Sequence, residues 1–451
     1  MSHEHARTAG TKTGTKTGTK TGTNAGAAAL IALALALAAG PARAEGLTMD
    51  DAVGIALQRN RDVLAARLEI EATQLDVVAA RVYPNPTLQY AIGNLVLGTA
   101  NGQGTTPPVR SGFFGQPVQS VGIGDIIDVW AKRSARTNAA ERGVEVRKLR
   151  TEDALREGVY AVRTAYGAVV RAQSERDLAH EVADRHAETV RLSRARFKAG
   201  DISEAELRKI ELESLRYQND VIDTEMRVDL ERTSLAALLG LSSPAELPPG
   251  PLAVPDARPT FQLEALTTTA LDRRPDLRAA RASQALADAR LGLARREAYP
   301  DISLGASYTH SSFAVSGDNP NTMGLNLSLP LPLFDRNQAN IGRARVDMRR
   351  ADNDVERVQL QIRRDVAEAA RQGQRSQALL RVFEGPDETG AMIARAETAL
   401  KVAEKSYRAG AISLLELLEA QRTYLDTRSQ YLRALHDFRQ SVIDVKHAVG
   451  E

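Results

Sequence analysis

Glu416 and Glu419 are the residues of this 451-residue sequence best placed to do chemistry. At spacing i, i+3 they share one face of a helix. Where such carboxylates are crowded together they repel one another, raise some of their pKa values and attract cations. The plain alternative is a pair of ordinary solvated helix carboxylates. Other chemistry is poorly supplied. His180 and His186 lie six apart on different helix faces, and His310, His436 and His447 are isolated. No His-Glu-x-x-His, phosphate loop or nucleophile elbow occurs. Zero Cys rules out a disulfide framework, a thiolate metal site, a Cys nucleophile and a lipid-anchored N-terminal Cys. Lys+Arg 59 against Asp+Glu 57 leaves no basic excess for wrapping nucleic acid. The expectation is no enzyme, no cofactor and no firm metal site.

The elements that carry the pair are written twice. Asp62-Val63-Leu64-Ala65-Ala66-Arg67 is answered by Asp276-Leu277-Arg278-Ala279-Ala280-Arg281, and Tyr83-Pro84-Asn85-Pro86 by Tyr299-Pro300-Asp301-Ile302. Phe197-Lys198-Ala199-Gly200-Asp201-Ile202-Ser203 is answered by Tyr407-Arg408-Ala409-Gly410-Ala411-Ile412-Ser413. The copies span 45–243 and 261–451. Between them residues 244–260, with six Pro from Pro244 to Pro259, read as an extended linker over the surface.

Within each copy the expected order is helix, two strands, long helix, turn, helix. Residues 48–82 have helical periodicity, ended by Tyr83-Pro84 because the residue before Pro leaves the α region. The period then becomes two. Ile302, Leu304, Ala306 and Tyr308 alternate with Ser303, Gly305, Ser307 and Thr309. Strands are expected at about 87–97, 119–130, 301–311 and 322–333, each with one apolar face, as in transmembrane β-strands. A soluble half-buried hairpin is the competing reading. Residues 131–197 contain no Pro and form a rod of about 100 Å. The second copy's rod, 336–407, is expected to break at Gly385-Pro386 and Gly390. In the last helix, 412–449, Leu417, Tyr424, Tyr431, Phe438 and Val445 recur every seven residues, and Leu435, Val442 and Val449 form a second seam. Two seams imply partner helices on both sides. The fold class expected is mainly α with a small β part, in two tandem repeats.

The chain opens with an address. Lys12, Lys16 and Lys20 precede an uncharged run from Ala25 to Ala39, and Ala42-Arg43-Ala44 supplies an A-x-A cleavage pattern. Residues 1–44 therefore read as a low-complexity leader and signal peptide cut after Ala44. Without them Lys+Arg 54 face Asp+Glu 56. No later run approaches 18 uninterrupted apolar residues, so a membrane would be entered only by a closed barrel. Four strands are too few for one. Closure needs further copies around a symmetry axis, and counting alone permits a dimer, trimer or tetramer.

The double repeat, the Tyr-Pro-Asn-Pro entry, the run Leu329-Pro330-Leu331-Pro332-Leu333-Phe334-Asp335-Arg336-Asn337-Gln338 and the run 407–422 resemble the TolC-type outer-membrane efflux proteins. They are most similar to the branch serving cobalt-zinc-cadmium and related heavy-metal resistance. The resemblance covers residues 46–449. It implies a homotrimer with a 12-stranded outer-membrane barrel over a periplasmic α-helical tunnel, in contact with outer-membrane lipid. It also implies docking on a periplasmic adaptor and a proton-driven inner-membrane pump of the resistance-nodulation-division type, the duct itself being passive. On that resemblance the turns Ala199-Gly200-Asp201 and Ala409-Gly410-Ala411 are the tips where the adaptor docks. Glu416, Glu419 and Tyr407 belong to the gate, and the basic residue that locks the TolC gate falls at Ile412. Two other expectations stand beside this one: a drug or polypeptide exporter of the same build, and a soluble periplasmic coiled-coil scaffold.

Overall fold

A computed structural model describes residues 47–93, 118–247, 260–311, 319–385 and 392–451, all within one unit, Leu47–Glu451. The leader with Ala44, residues 94–97 and most of the 244–260 segment lie outside the described residues. The elements run α1 (Met49–Arg59), α2 (Arg61–Arg81), β1 (Thr87–Gly93), β2 (Val118–Ile127), α3 (Lys132–Ala199) and α4 (Glu204–Leu238). They continue α5 (Leu263–Arg273), α6 (Pro275–Glu297), β3 (Ile302–Ser311), β4 (Asn321–Ser328), α7 (Gln338–Glu384), α8 (Met392–Arg408) and α9 (Leu414–Val449).

The rods end where local chemistry ends them. Gly200 (φ 84°), Gly240 (φ 70°), Gly410 (φ 73°) and Gly450 (φ 95°) take the left-handed conformation. At the first, Gly200 N–H donates to Phe197 O and Asp201 N–H to Arg196 O, and the other three repeat the pattern. This pair of bonds closes a helix C-terminus. Ser203 and Ser413 then open α4 and α9 with capping boxes completed by Glu206 and Glu416. At 68 residues, α3 is about 100 Å long.

Several boundaries differ from the sequence expectation, each for a local reason. The 48–82 helix is two, because Asn60 (ψ 129°) breaks the ladder. Its Oδ1 accepts from Asp62 and Val63 N–H, and its Nδ2 donates to Leu238 O at 2.8 Å. Strand 119–130 stops at Ile127, since the Asp128 carboxylate turns back to accept the Lys132 and Arg133 amides. Strand 322–333 stops at Ser328, because Pro330 and Pro332 have no N–H for the ladder. The break in helix 336–407 falls where expected, its first part ending at Glu384 beside Gly385 at φ 69°, while Pro386 and Gly390 lie outside the described residues. The start of 244–260 is not extended. Ser243 caps a single 3₁₀ turn, Pro244–Glu246, and Leu247 is buried.

The sheet is an antiparallel meander, β1-β2-β3-β4, with β1 and β4 each paired on one side only among the described residues. The register sets Val121 opposite Tyr308 and Tyr308 opposite Met323, and sets Ile123, Ala306 and Leu325 in the next row but one. Residues so aligned share a face. That face carries Leu88, Tyr90, Val121, Ile123, Leu304, Tyr308, Met323, Leu325 and Leu327, all exposed, Met323 to 85%. It is interrupted by Asp125 in the Leu304 row and by Gln119, His310 and Asn321 in the row beyond Tyr308. The other face carries Ser120, Gly122, Gly124, Ser303, Gly305, Ser307, Gly324, Asn326 and Ser328.

The helices bury what the strands do not. Central α3 packs against α1, α2, α4, α6 and α9. Ala52, Ala56, Val162, Tyr166, Val169, Leu235 and Leu239 form one core. Phe261, Leu380, Phe438, Val442 and Val445 form another. Tyr166 donates its hydroxyl to Leu47 O at 2.6 Å, and Gln374 Nε2 donates to Phe261 O at 2.9 Å. Both bonds tie a short N-terminal segment onto a rod.

Candidate functional site

The end of the rods far from the sheet brings the turns and the acidic pair together. Its core is Val190, Ile210, Tyr407, Leu414, Leu417 and Leu418, from α3, α4, α8 and α9. Glu416 and Glu419 are both exposed, on the first two turns of α9. Their carboxylates have different local roles. Glu416 Oε2 accepts the Ser413 N–H at 2.8 Å, inside the capping box. Glu419 lies near Arg422, which is held by Glu213 of α4 at 2.6 Å and has its pKa raised chiefly by that carboxylate, with Glu419 adding to it.

Tyr407 sits elsewhere. Its ring is 1% exposed, its hydroxyl lies 3.0 Å from Ser193 Oγ, and the Arg196 guanidinium stands 4.9 Å over the ring. Arg196 also reaches Tyr407 O at 3.4 Å. Tyr407 is thus a packed joint between the α3–α4 and α8–α9 hairpins, apart from the two exposed glutamates. Farther up, Tyr424 donates to Glu181 at 3.0 Å and Gln421 to Thr189 at 3.1 Å, joining the same hairpins.

Sequence reasoning passed over Glu206, the partner of Ser203 as Glu416 is of Ser413. The signal was available: Ser-x-x-Glu follows both turns. The Ser203 amide and hydroxyl hold the Glu206 carboxyl below its ordinary pKa. Ala199, Gly200 and Asp201, like Ala409, Gly410 and Ala411, form exposed turns. A groove lined by Arg395, Thr398, Val402, Ile412 and Glu416 runs between α8 and α9 above the second turn.

Among the described residues no group of three or more His, Asp or Glu is gathered to hold a metal ion. The histidines are structural in placement. His186 is buried with Nε2 3.2 Å from Ile210 O, His180 meets Glu225 at 3.0 Å, and His447 stacks on Tyr160. His436, buried in α9, has its pKa lowered to about 4 by burial and then by Arg439 and Arg171, against Glu175. The unfolded chain takes this proton near the ordinary value of 6.5 and the folded chain only near 4, so stability falls as pH drops through that window. Between pH 7 and pH 5 the loss from this residue is about 2 kcal/mol. His436→Met removes that part of the slope. Unfolding midpoints of both proteins at pH 7 and pH 5 check it, and parallel losses would refute it.

Long rods with capped ends and a sheet with one exposed apolar face describe a membrane channel subunit. The chain belongs to the outer membrane efflux protein family, whose model matches residues 52–241 and 266–451. It is a channel component of the TolC type, not an enzyme, and its place is the outer membrane with a periplasmic extension. The cobalt-zinc-cadmium resistance protein CzcC of Cupriavidus metallidurans is 28% identical over 91% of this chain and 92% of its own length. The pyoverdine export outer membrane protein OpmQ of Pseudomonas putida is 26% identical over 89% and 85%. The crystal structure of VceC from Vibrio cholerae shares the fold, with a TM-score of 0.70 over 89% of this chain and 96% of that one at 18% identity.

Proposed function

We propose that three copies of this chain form the outer-membrane duct of a tripartite heavy-metal exporter. Their twelve strands make one barrel and their paired repeats one helical tunnel. The observation that carries the reading is the sheet. Its apolar face is bare, and among the described residues its two edge strands are each paired on one side only. Lipid satisfies the first and ring closure the second. Residues 1–44 act as the export leader, cut after Ala44. The turns at Gly200 and Gly410 meet the periplasmic adaptor, and the pump beneath supplies the energy.

Divalent cobalt, zinc or cadmium is the cargo the reading favours, supported by the likeness to CzcC over nearly the whole of both chains. The likeness to OpmQ supports a second reading, export of a larger organic molecule. The barrel wall is compatible with either. The inward face of the described strands carries mostly Thr, Ser, Gly, Asn and Gln, with Ala91, Val118 and Ile126 among them, and no charged residue. Selection by charge therefore falls to the tip, where Glu416 and Glu419 of three copies make two stacked acidic rings.

A deletion strain settles the cargo. Loss of cobalt, zinc or cadmium tolerance, restored by the intact gene, is the expected result. Unchanged metal tolerance with lost export of an organic molecule would overturn the metal reading. For the tip, Glu416→Gln with Glu419→Gln is expected to lower the cation-to-anion permeability ratio of reconstituted channels about tenfold. Reversal potentials in a salt gradient measure it. An unchanged ratio removes the role given to these two residues. Because Gln at 416 retains a capping acceptor, altered folding does not account for the effect.

A further inference from the structure

Four passages join the sheet to the helices, and each carries one exposed aromatic residue: Tyr83, Trp130, Tyr299 and Phe334. In a chain only 4% aromatic, that is a concentration at one level of the molecule. Trp130 stacks on Tyr299 with ring centroids 4.7 Å apart, and its indole N–H is given to Pro300 O at 3.0 Å. With its polar atom so engaged, the pair presents an apolar ledge just past Ile127 and Ile302, the last rows of the bare sheet face.

Two arginines flank the ledge, and both are held by neutral groups. The Arg133 guanidinium lies 4.0 Å over the Tyr83 ring and donates to Arg81 O. Arg296 donates to Ala131 O at 3.1 Å and to Trp130 O at 3.4 Å. Among the described residues neither forms an ion pair. The neighbouring bases do: Lys132 is matched by Asp301 at 2.7 Å and Arg81 by Glu141 at 2.6 Å. Two guanidinium groups thus stand without an ion-pair partner beside an aromatic ledge at the edge of an apolar surface, with the Asp128 carboxylate held on the Arg133 backbone amide at 2.8 Å.

We propose that this level is a binding surface for anionic phospholipid of the periplasmic leaflet, with Arg133 and Arg296 taking the phosphate and Trp130 and Tyr299 lying beside the glycerol. Guanidinium is weakly hydrated and presents a planar fork that fits phosphate oxygens. Holding it on a ring and on carbonyls fixes its geometry without cancelling its charge. Aromatic rings favour the boundary between hydrocarbon and headgroup, and fixed positive charge there favours anionic lipid over zwitterionic. The surface rests on the reading of the sheet as a membrane barrel.

Trp130 is the only Trp in the sequence, so its emission reports this surface directly. The full-length channel is reconstituted with phosphatidylglycerol or phosphatidylcholine brominated on the acyl chain near the headgroup. The expected result is quenching by both lipids, about twofold stronger with phosphatidylglycerol at equal mole fraction. Arg133→Gln with Arg296→Gln should remove the difference and keep the quenching. Equal quenching by the two lipids in the unaltered protein overturns the headgroup preference. Absence of quenching overturns the surface itself and shows it covered by protein, such as a second copy. A Leu325→Trp reporter in a Trp130→Phe background separates that failure from failure of the barrel. If Trp at 325 is quenched and Trp130 is not, the barrel stands without the surface. If neither is quenched, the barrel reading falls and the surface falls with it.

Discussion

Gly240→Ala is expected to unseat the end of α4 and to cost roughly 3 kcal/mol, assembled from the left-handed backbone and overpacking. Gly240 has φ 70°, where an L side chain is disfavoured. A Cβ there would sit 2.5 Å from Arg59 O and 2.9 Å from Arg59 C, and backbone cannot rotate away as a side chain can. Relief requires α1 and α4 to separate. That movement strains the Asn60 bond to Leu238 O at 2.8 Å and loosens the core of Ala52, Ala56, Leu235 and Leu239. Gly200 supplies the comparison. Its φ is 84°, yet nothing lies within 4 Å of its missing Cβ. Gly200→Ala should therefore cost only the conformational part, about 1 kcal/mol. Hydrogen exchange of amides 235–241 and the thermal midpoint read both variants. Equal losses would mean that close approach to Arg59 contributes nothing.

That pair of glycines also marks what was legible in the sequence. Mainly helical character, long rods and period-two strands follow from side-chain spacing, which is a local property. So does the Ala-Gly turn, because only glycine takes the left-handed bend cheaply. Gly200 and Gly410 announce themselves through repeated neighbours, whereas Gly240 does the same job without a matching motif. The break at Asn60 was not legible. Asn60 caps α2 locally, and the bond that ties this bend to α4 runs to Leu238, 178 positions away in sequence. Strand ends were blurred for a similar cause. Asp128 reads as one more strand residue until its carboxylate is seen to cap α3. At the tip, the spacing of Glu416 and Glu419 put both on one exposed face. It could not show that Glu416 is tied to Ser413, or that Tyr407 is buried against Ser193 and Arg196. The flanking motif Ser-x-x-Glu carries the capping-box signal at both turns and points to Glu206 and Glu416 together.

Arg274→Met is expected to cost about 3 kcal/mol, because it strips the cation from a buried network and leaves the acids behind. Arg274 is 3% exposed. It grips Asp276 through Nε at 3.1 Å and Nη2 at 2.6 Å, reaches Asp365 of α7 at 3.3 Å, and donates to Ala448 O at the end of α9. Burial works against its charge, yet Asp276 and Asp365 together carry its pKa above the ordinary value. Asn60 makes the equivalent bond at the end of α4 with a neutral amide, so Asn60→Ala should cost nearer 1 kcal/mol. Without Arg274, Asp276 loses its guanidinium partner while Asp365 keeps Arg364 at 3.4 Å, so the charge left stranded is chiefly that of Asp276. Arg274→Met with Asp276→Asn should lose less than the sum of the single changes, since the charge left stranded by the first is absent in the second. Additive losses would show that Arg274 acts through packing alone. Ala448 and Glu416 stand at opposite ends of α9, about 48 Å apart along the helix. These variants therefore loosen the anchored end of the rod without touching its acidic tip. If Arg274→Met alters ion selectivity as the tip variants are expected to, selectivity is not a property of the tip carboxylates alone.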